Sequence, residues 1–274
     1  MKFQAGVRLA DADEVLRRAE TCWTNVAGGS KSYQDAVAES YPQLRQTFIS
    51  PDLATGMRSD GYWHLLENTR TASTAASARE RAEKMRALND AFRMEIDQQR
   101  DALGKARTEL DALKMLAGRP GLPVVIDTNI LIVWKSPDQI DWRETLREQG
   151  ESITQARIIV PLRVVDELDR QKDGDGKLLP GRAATAIRFL ERTFSGTAAG
   201  EAVPLRHGST LEIWTASDER GLDADLTILR CAADIAALNP EVGVRVLTGD
   251  FGMRLRAGQM SLPVLGLPAD RFRK

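Results

Sequence analysis

From residue 120 onward, short β-branched runs alternate with stretches of helical periodicity. Val124-Val125-Ile126, Ile158-Ile159-Val160, Leu211 to Trp214, Val244 to Leu247 and Pro263-Val264-Leu265 read as strands. Pro137 to Gln149, Leu162 to Arg170, Arg182 to Thr193, Asp225 to Leu238 and Phe251 to Ala257 read as helices. Strands that alternate with helices imply βαβ units, and hence an α/β fold whose mostly parallel sheet is covered on both faces. In such sheets ligands bind beyond the carboxyl ends of the strands.

Residues 1–118 have a different texture. They are rich in Ala, Arg, Glu, Gln and Leu, with prolines only at Pro42 and Pro51. One helix is expected from Asp11 or Asp13 to Val26, stopped by Gly28-Gly29. A second is expected from Ser32 to Ile49, disturbed near Pro42, followed by a loop over 50–61. A third runs from about Ser73 to Ala117. Met85, Leu88, Phe92, Ile96, Leu103, Ala106, Leu110, Leu113 and Ala117 form its apolar stripe, with Gln99 among them. That stripe must be buried against residues 1–66 or against a second chain; self-association is the expectation, and both a coiled coil and an ordinary long helix of an α-helical bundle fit the pattern. Gly118, Pro120, Gly121 and Pro123 mark the boundary, so an α-helical region 1–118 precedes a domain 120–274.

Composition removes several function classes. Lys plus Arg is 38 and Asp plus Glu is 39, a net charge of -1, so no global positive field draws the chain to nucleic acid or to an anionic membrane. The two cysteines, Cys22 and Cys231, and the two histidines, His64 and His207, exclude a disulfide framework and argue against a Cys/His zinc site or a His-dependent triad. The N-terminus lacks the apolar core of a signal peptide, and no run approaches the ~18 apolar residues of a membrane span. A cytoplasmic protein with no membrane contact is expected.

Carboxylates fall in a pattern. Asp127 follows the first strand run directly, in V-V-I-D-T-N-I-L-I, and Asp250 follows the fourth, in V-L-T-G-D-F. Glu167 lies on the helix after the second run, and Asp225 opens the helix after the third. Each has a simpler role alone: Asp127, Asp225 and Asp250 as helix caps, Glu167 as a solvated residue or the partner of Arg163 or Arg170. Together they map to one face. Clustered anions repel and lose hydration, and the usual compensation is a hard divalent cation such as Mg²⁺ or Mn²⁺, bound by oxygen ligands.

These stretches, with V-P-L-R-V-V-D-E-L-D-R-Q-K, D-L-T-I-L-R-C-A and V-L-T-G-D-F-G-M-R-L-R-A, resemble the four motifs of PIN-domain nucleases over about residues 122–268. The branch they look closest to is that of PhoH-like proteins and nonsense-mediated-decay nucleases. The resemblance implies a three-layer α/β/α sandwich on a five-stranded sheet, with Asp127, Glu167, Asp225 and Asp250 as catalytic metal ligands. Asp223, a second acid beside Asp225, leaves that third position less certain. Asn129 and Thr248 match polar positions that orient the carboxylates or the substrate. It further implies a Mg²⁺- or Mn²⁺-dependent endoribonuclease hydrolysing single-stranded RNA, in which a water attacks phosphorus and no protein nucleophile is needed.

Arg163, Arg170, Lys172, Lys177, Arg182 and Arg188 are candidates for holding the RNA backbone, Arg182 and Arg188 foremost, with Arg254 and Arg256 as further ones. The simpler reading of these cations is a solvated face. Trp134 and Trp214 read as core, D-G-D-G-K at 173–177 as a turn, and no phosphate-binding G-x-x-x-x-G-K-[ST] loop occurs. Two other functions fit the same motifs: a PIN-fold RNA-binding or scaffold protein with little catalysis, and the toxin of a toxin–antitoxin pair. The helical region is assigned to assembly or targeting, and a homo-oligomer is expected.

Overall fold

In a computed structural model, residues 3–4, 7–49, 77–153, 155–172, 179–198, 200–215 and 223–267 are described. The chain divides into two compact units, Met1–Leu116 and Ala117–Lys274.

The first unit contains α1 (Leu9–Ala27), α2 (Tyr33–Thr47) and α3 (Ala78–Ala117). Ser32 caps α2, its hydroxyl accepting from the Asp35 N–H at 3.1 Å. Leu103, Ala106 and Leu110 of α3 share one core with Ala12, Leu16, Ala19, Trp23, Ala36 and Leu44. Buried Trp23 donates its indole N–H to Ser40 Oγ at 3.2 Å. Arg107 ties α3 to α1 through Asp13 and Glu20. The C-terminal part of the stripe is thus buried within the chain, and a second chain is not needed to cover it. Phe92 and Ile96 are half-buried, while Met85 is 41% exposed. Gln99 is buried and donates to Glu95 Oε1 at 2.8 Å. The expected loop over 50–61 and the turn at 173–177 lie outside the described residues.

The second unit runs β1 (Leu122–Ile126), α4 (Thr128–Val133), a 3-10 turn at Pro137–Gln139, α5 (Trp142–Glu148), β2 (Ala156–Pro161), α6 (Leu162–Lys172) and α7 (Leu179–Phe194). It continues with β3 (Val203–Pro204), β4 (Thr210–Trp214), α8 (Ala224–Leu238), β5 (Arg245–Leu247), α9 (Phe251–Gln259) and β6 (Val264–Leu265). The sheet order is β3-β4-β2-β1-β5-β6, parallel except for β3. Val125 sits centrally, paired with Ile159 on one side and Val246 on the other. Every residue of β1 and β2 is buried, as strands covered by helices on both faces must be.

Two expectations need correcting. Among the described residues the sheet has six strands, not five: β3 is a two-residue antiparallel edge strand. It has no apolar run to announce it, and Pro204, lacking an N–H, is tolerated at an edge. The helix expected over 137–149 is two pieces, because Asp141 starts α5 afresh by accepting from the Glu144 N–H at 3.1 Å.

A buried ion pair crosses two strands of the sheet. Arg157 of β2 and Glu212 of β4 are each 3% exposed and joined by hydrogen bonds of 2.9 and 3.1 Å. Arg119 adds a 2.7 Å bond to Glu212 and a 2.6 Å bond to the Gly200 carbonyl. Among the described residues no helix is long and apolar enough to cross a membrane.

Candidate active site

The chain order creates the site. From β1 the sheet grows outward through β2 to β4, and the chain then returns to lay β5 on the other side of β1. In open α/β sheets such a reversal, here beyond the carboxyl ends of β1 and β5, is where ligands bind. Asp127 and Asp250 follow those two strands, Glu167 lies on the helix after β2, and Asp225 lies in the first turn of the helix after β4. The four acids therefore come from β4, β2, β1 and β5, which are consecutive in the sheet and spaced about 4.8 Å apart.

Thr248 joins two of them. Its hydroxyl donates to Asp127 Oδ2 at 2.8 Å and accepts from the Asp250 N–H at 3.0 Å. The Asp127 N–H also donates to the Leu247 carbonyl at 3.1 Å, stitching the two strand ends together. Asn129 reaches Asp127 Oδ2 at 3.5 Å, the outer limit of a hydrogen bond. Asp250 caps α9, accepting from the Met253 N–H at 2.7 Å. Glu167 accepts from the buried Thr128 hydroxyl, and no ion pair with Arg163 or Arg170 forms among the described contacts. Arg256 Nη1 lies 2.6 Å from Asp225 and 3.2 Å from Asp223.

Electrostatics link these groups. Burial pushes the Asp127 carboxyl above its usual range, against the Thr248 bond, and the Asp225 charge adds to the rise. Asp225 is raised by burial, then by Asp223; Arg256 opposes this, and Asp250 and Glu167 reinforce it. All four acids thus act within one field.

A carboxyl raised in the fold binds its proton more tightly there than in the unfolded chain. Its contribution to stability is full below about pH 4 and is lost as pH rises through the raised folded value. Asp127→Asn, permanently neutral, is expected to raise the melting temperature at neutral pH and to change it little at acidic pH. Melting curves of both proteins across pH check this; a variant that melts lower than wild type at neutral pH contradicts it.

A family model described as a PIN domain matches residues 124–267, just over half of the chain. The chain belongs to the PIN-domain family. A solved domain of a functionally unknown protein from Methanocaldococcus jannaschii DSM 2661 is similar at 20% identity, covering 56% of this chain and 96% of that one, with a TM-score of 0.35. No curated protein matches. PIN domains are generally nucleases and typically use divalent metals, and this one has that nuclease-like fold.

The acid face of the PIN domain offers only oxygen donors, the chemistry that suits Mg²⁺ or Mn²⁺. Among the described residues, however, no group of three or more His, Cys, Asp or Glu is arranged to hold an ion. Each carboxylate has a partner of its own: Thr128 for Glu167, Thr248 for Asp127, the Met253 N–H for Asp250 and Arg256 for Asp225.

Of the expected RNA-contacting cations, Arg182 is half-buried near the start of α7, and Arg188 is exposed, donating to Thr185 Oγ1 at 3.3 Å. Helix α7 packs on α4 and α6, whose sides carry Thr128 and Glu167. Arg256, a further candidate, pairs with Asp223 and Asp225. Lys177 lies outside the described residues. Trp134 and Trp214 are buried. Sequence reasoning missed Thr128, although it stands inside D-T-N beside Asp127.

Proposed function

We propose that this PIN domain is a Mg²⁺- or Mn²⁺-dependent endoribonuclease that hydrolyses single-stranded RNA. The observation that carries the reading is the row of four acids after four consecutive strands, with Asp127 and Asp225 both raised by burial and by neighbouring charge. Such a site stores repulsion that a divalent cation relieves.

Asp127, Glu167, Asp225 and Asp250 would hold the cation, which when bound neutralises the scissile phosphate and lowers the pKa of the attacking water. Thr248 and Asn129 fix the orientation of Asp127. Thr128 positions Glu167 in the same way. Arg256 keeps positive charge beside Asp225, so it must swing away or share that carboxylate when the cation enters. Arg182 and Arg188 hold phosphates along α7. The helical unit serves assembly or targeting, with homo-oligomers formed by surfaces other than the buried part of its stripe.

The test is a labelled single-stranded RNA incubated with Mn²⁺, Mg²⁺ or a chelator. Cleavage with either ion and none with chelator is expected; intact RNA in all three contradicts the proposal. Arg182→Ala with Arg188→Ala is expected to weaken binding and flatten its salt dependence by about one unit of slope per lost phosphate contact. Filter binding across a salt series reads this. An unchanged slope removes α7 from the RNA path.

A further inference from the structure

Helix α9 has two unlike faces. Met253 and Ala257, four residues apart, are fully buried. Phe251, Arg254, Leu255 and Gly258 fall at the i, i+3, i+4 and i+7 positions of the opposite face, where Phe251 is 66% and Leu255 57% exposed. A lone exposed apolar residue requires no explanation. Phe251 differs in three respects. It is the only aromatic among the described large apolar side chains left open to water. It directly follows Asp250, one of the four acids. Its ring also lies 5.7 Å from the guanidinium carbon of Arg254, a cation–π contact.

Arg254 has no carboxylate partner among the described residues, whereas Arg256 on the same helix is neutralised by Asp223 and Asp225. Uncompensated positive charge and an open aromatic ring therefore sit together at the edge of the acid face. Glycines keep the surroundings clear. A side chain at Gly252 would meet Asp250 Oδ1 at 3.2 Å, and one at Gly258 would project into open space.

We infer that Phe251 and Arg254 form a nucleobase-stacking subsite, taking an unpaired base next to the phosphate held at the acids, with Arg254 pairing the neighbouring phosphate. A base has a flat π-face that stacks on phenylalanine whatever its identity, and its own phosphate supplies the negative charge that Arg254 lacks. A duplex keeps its bases stacked and hides those faces. The subsite thus selects for unpaired nucleotides without reading sequence. This rests on the nuclease reading for its substrate, but binding tests it separately from cleavage.

The full chain carrying Asp127→Asn, to suppress cleavage, is titrated into a labelled short oligoadenylate and into the same strand with abasic positions, read by fluorescence anisotropy. Phe251→Ala and Phe251→Leu are expected to weaken oligoadenylate binding about 5- to 150-fold, the range one base–aromatic stack supplies. Phe251→Trp restores it, because the stack needs a π-face and not mere apolar bulk. On the abasic strand, wild-type Phe251 and Phe251→Ala bind alike. Arg254→Ala weakens binding to both strands.

Unchanged affinity in Phe251→Ala, an equal loss on the abasic strand, or no binding of the oligoadenylate by any variant overturns the subsite. So does a lower light-scattering mass for Phe251→Ala at unchanged affinity, which assigns this face to self-association. Phe251-dependent binding by a protein that never cleaves leaves the subsite standing and removes the nuclease reading; cleavage with Phe251-independent binding does the opposite.

Discussion

Glu212→Ala is expected to cost the PIN domain about 3–5 kcal/mol of stability, the usual loss when one partner of a buried ion pair is removed. The carboxylate answers two guanidiniums: Arg157, 3% exposed, through two hydrogen bonds, and Arg119, which also holds the Gly200 carbonyl. Without Glu212, Arg157 is left charged between buried strands with nothing to replace its lost hydration. Conversion at about 2–4 °C per kcal/mol gives a melting temperature lower by roughly 10 °C. Glu212→Gln keeps the shape and part of the bonding and should lose less. Arg157→Met with Glu212→Leu, removing both central charges, should recover much of the loss. Thermal or urea unfolding of the three variants reads the order, and Glu212→Ala melting like wild type contradicts it. Arg157 is the second residue of β2, at the end of the strand away from the acids, so the loss acts on the sheet and not on the site.

Most of the sheet was legible because its two central strands each carry an uninterrupted run of three Val and Ile residues, the pattern of a doubly covered strand. Val203-Pro204 carries no such signal, since a two-residue edge strand is defined by its partner β4 and not by its own side chains. The Arg157–Glu212 pair was invisible for a related reason. Charges inside strand runs look like surface positions until pairing sets them side by side.

The site divides in the same way. Asp127 and Asp250 stand at strand ends in the sequence itself, and their adjacency follows from chain order once the sheet is parallel. Thr248 was marked by its match to a family position, and it bridges the two acids. The pairing of Arg256 with Asp223 and Asp225 was not legible, because those partners are about thirty residues away and meet it only through the packing of α8 on α9. The apolar stripe of α3 was legible as a buried face. What buries it was not, because α1 and an outside helix present the same chemistry.

Asp250→Asn is the second large expected effect and bears on the central claim. Asn caps a helix as well as Asp does, so the bond from the Met253 N–H survives and the fold is kept. What changes is charge: one acid of the four becomes a neutral amide that holds a divalent cation poorly. Altering residues one shell further out typically costs about 10- to 100-fold in activity or metal affinity, so loss of a direct ligand should exceed that. RNA binding should be kept or strengthened, since an anion facing the phosphates has been removed while Arg182 and Arg188 remain. The decisive measurement is single-turnover cleavage of a labelled single-stranded RNA in saturating Mn²⁺, with filter binding on the same samples. Wild type is predicted to cut, and Asp250→Asn to bind the RNA while cutting more than about 100-fold slower. Cleavage by Asp250→Asn at the wild-type rate would contradict the assignment of these acids to the chemistry.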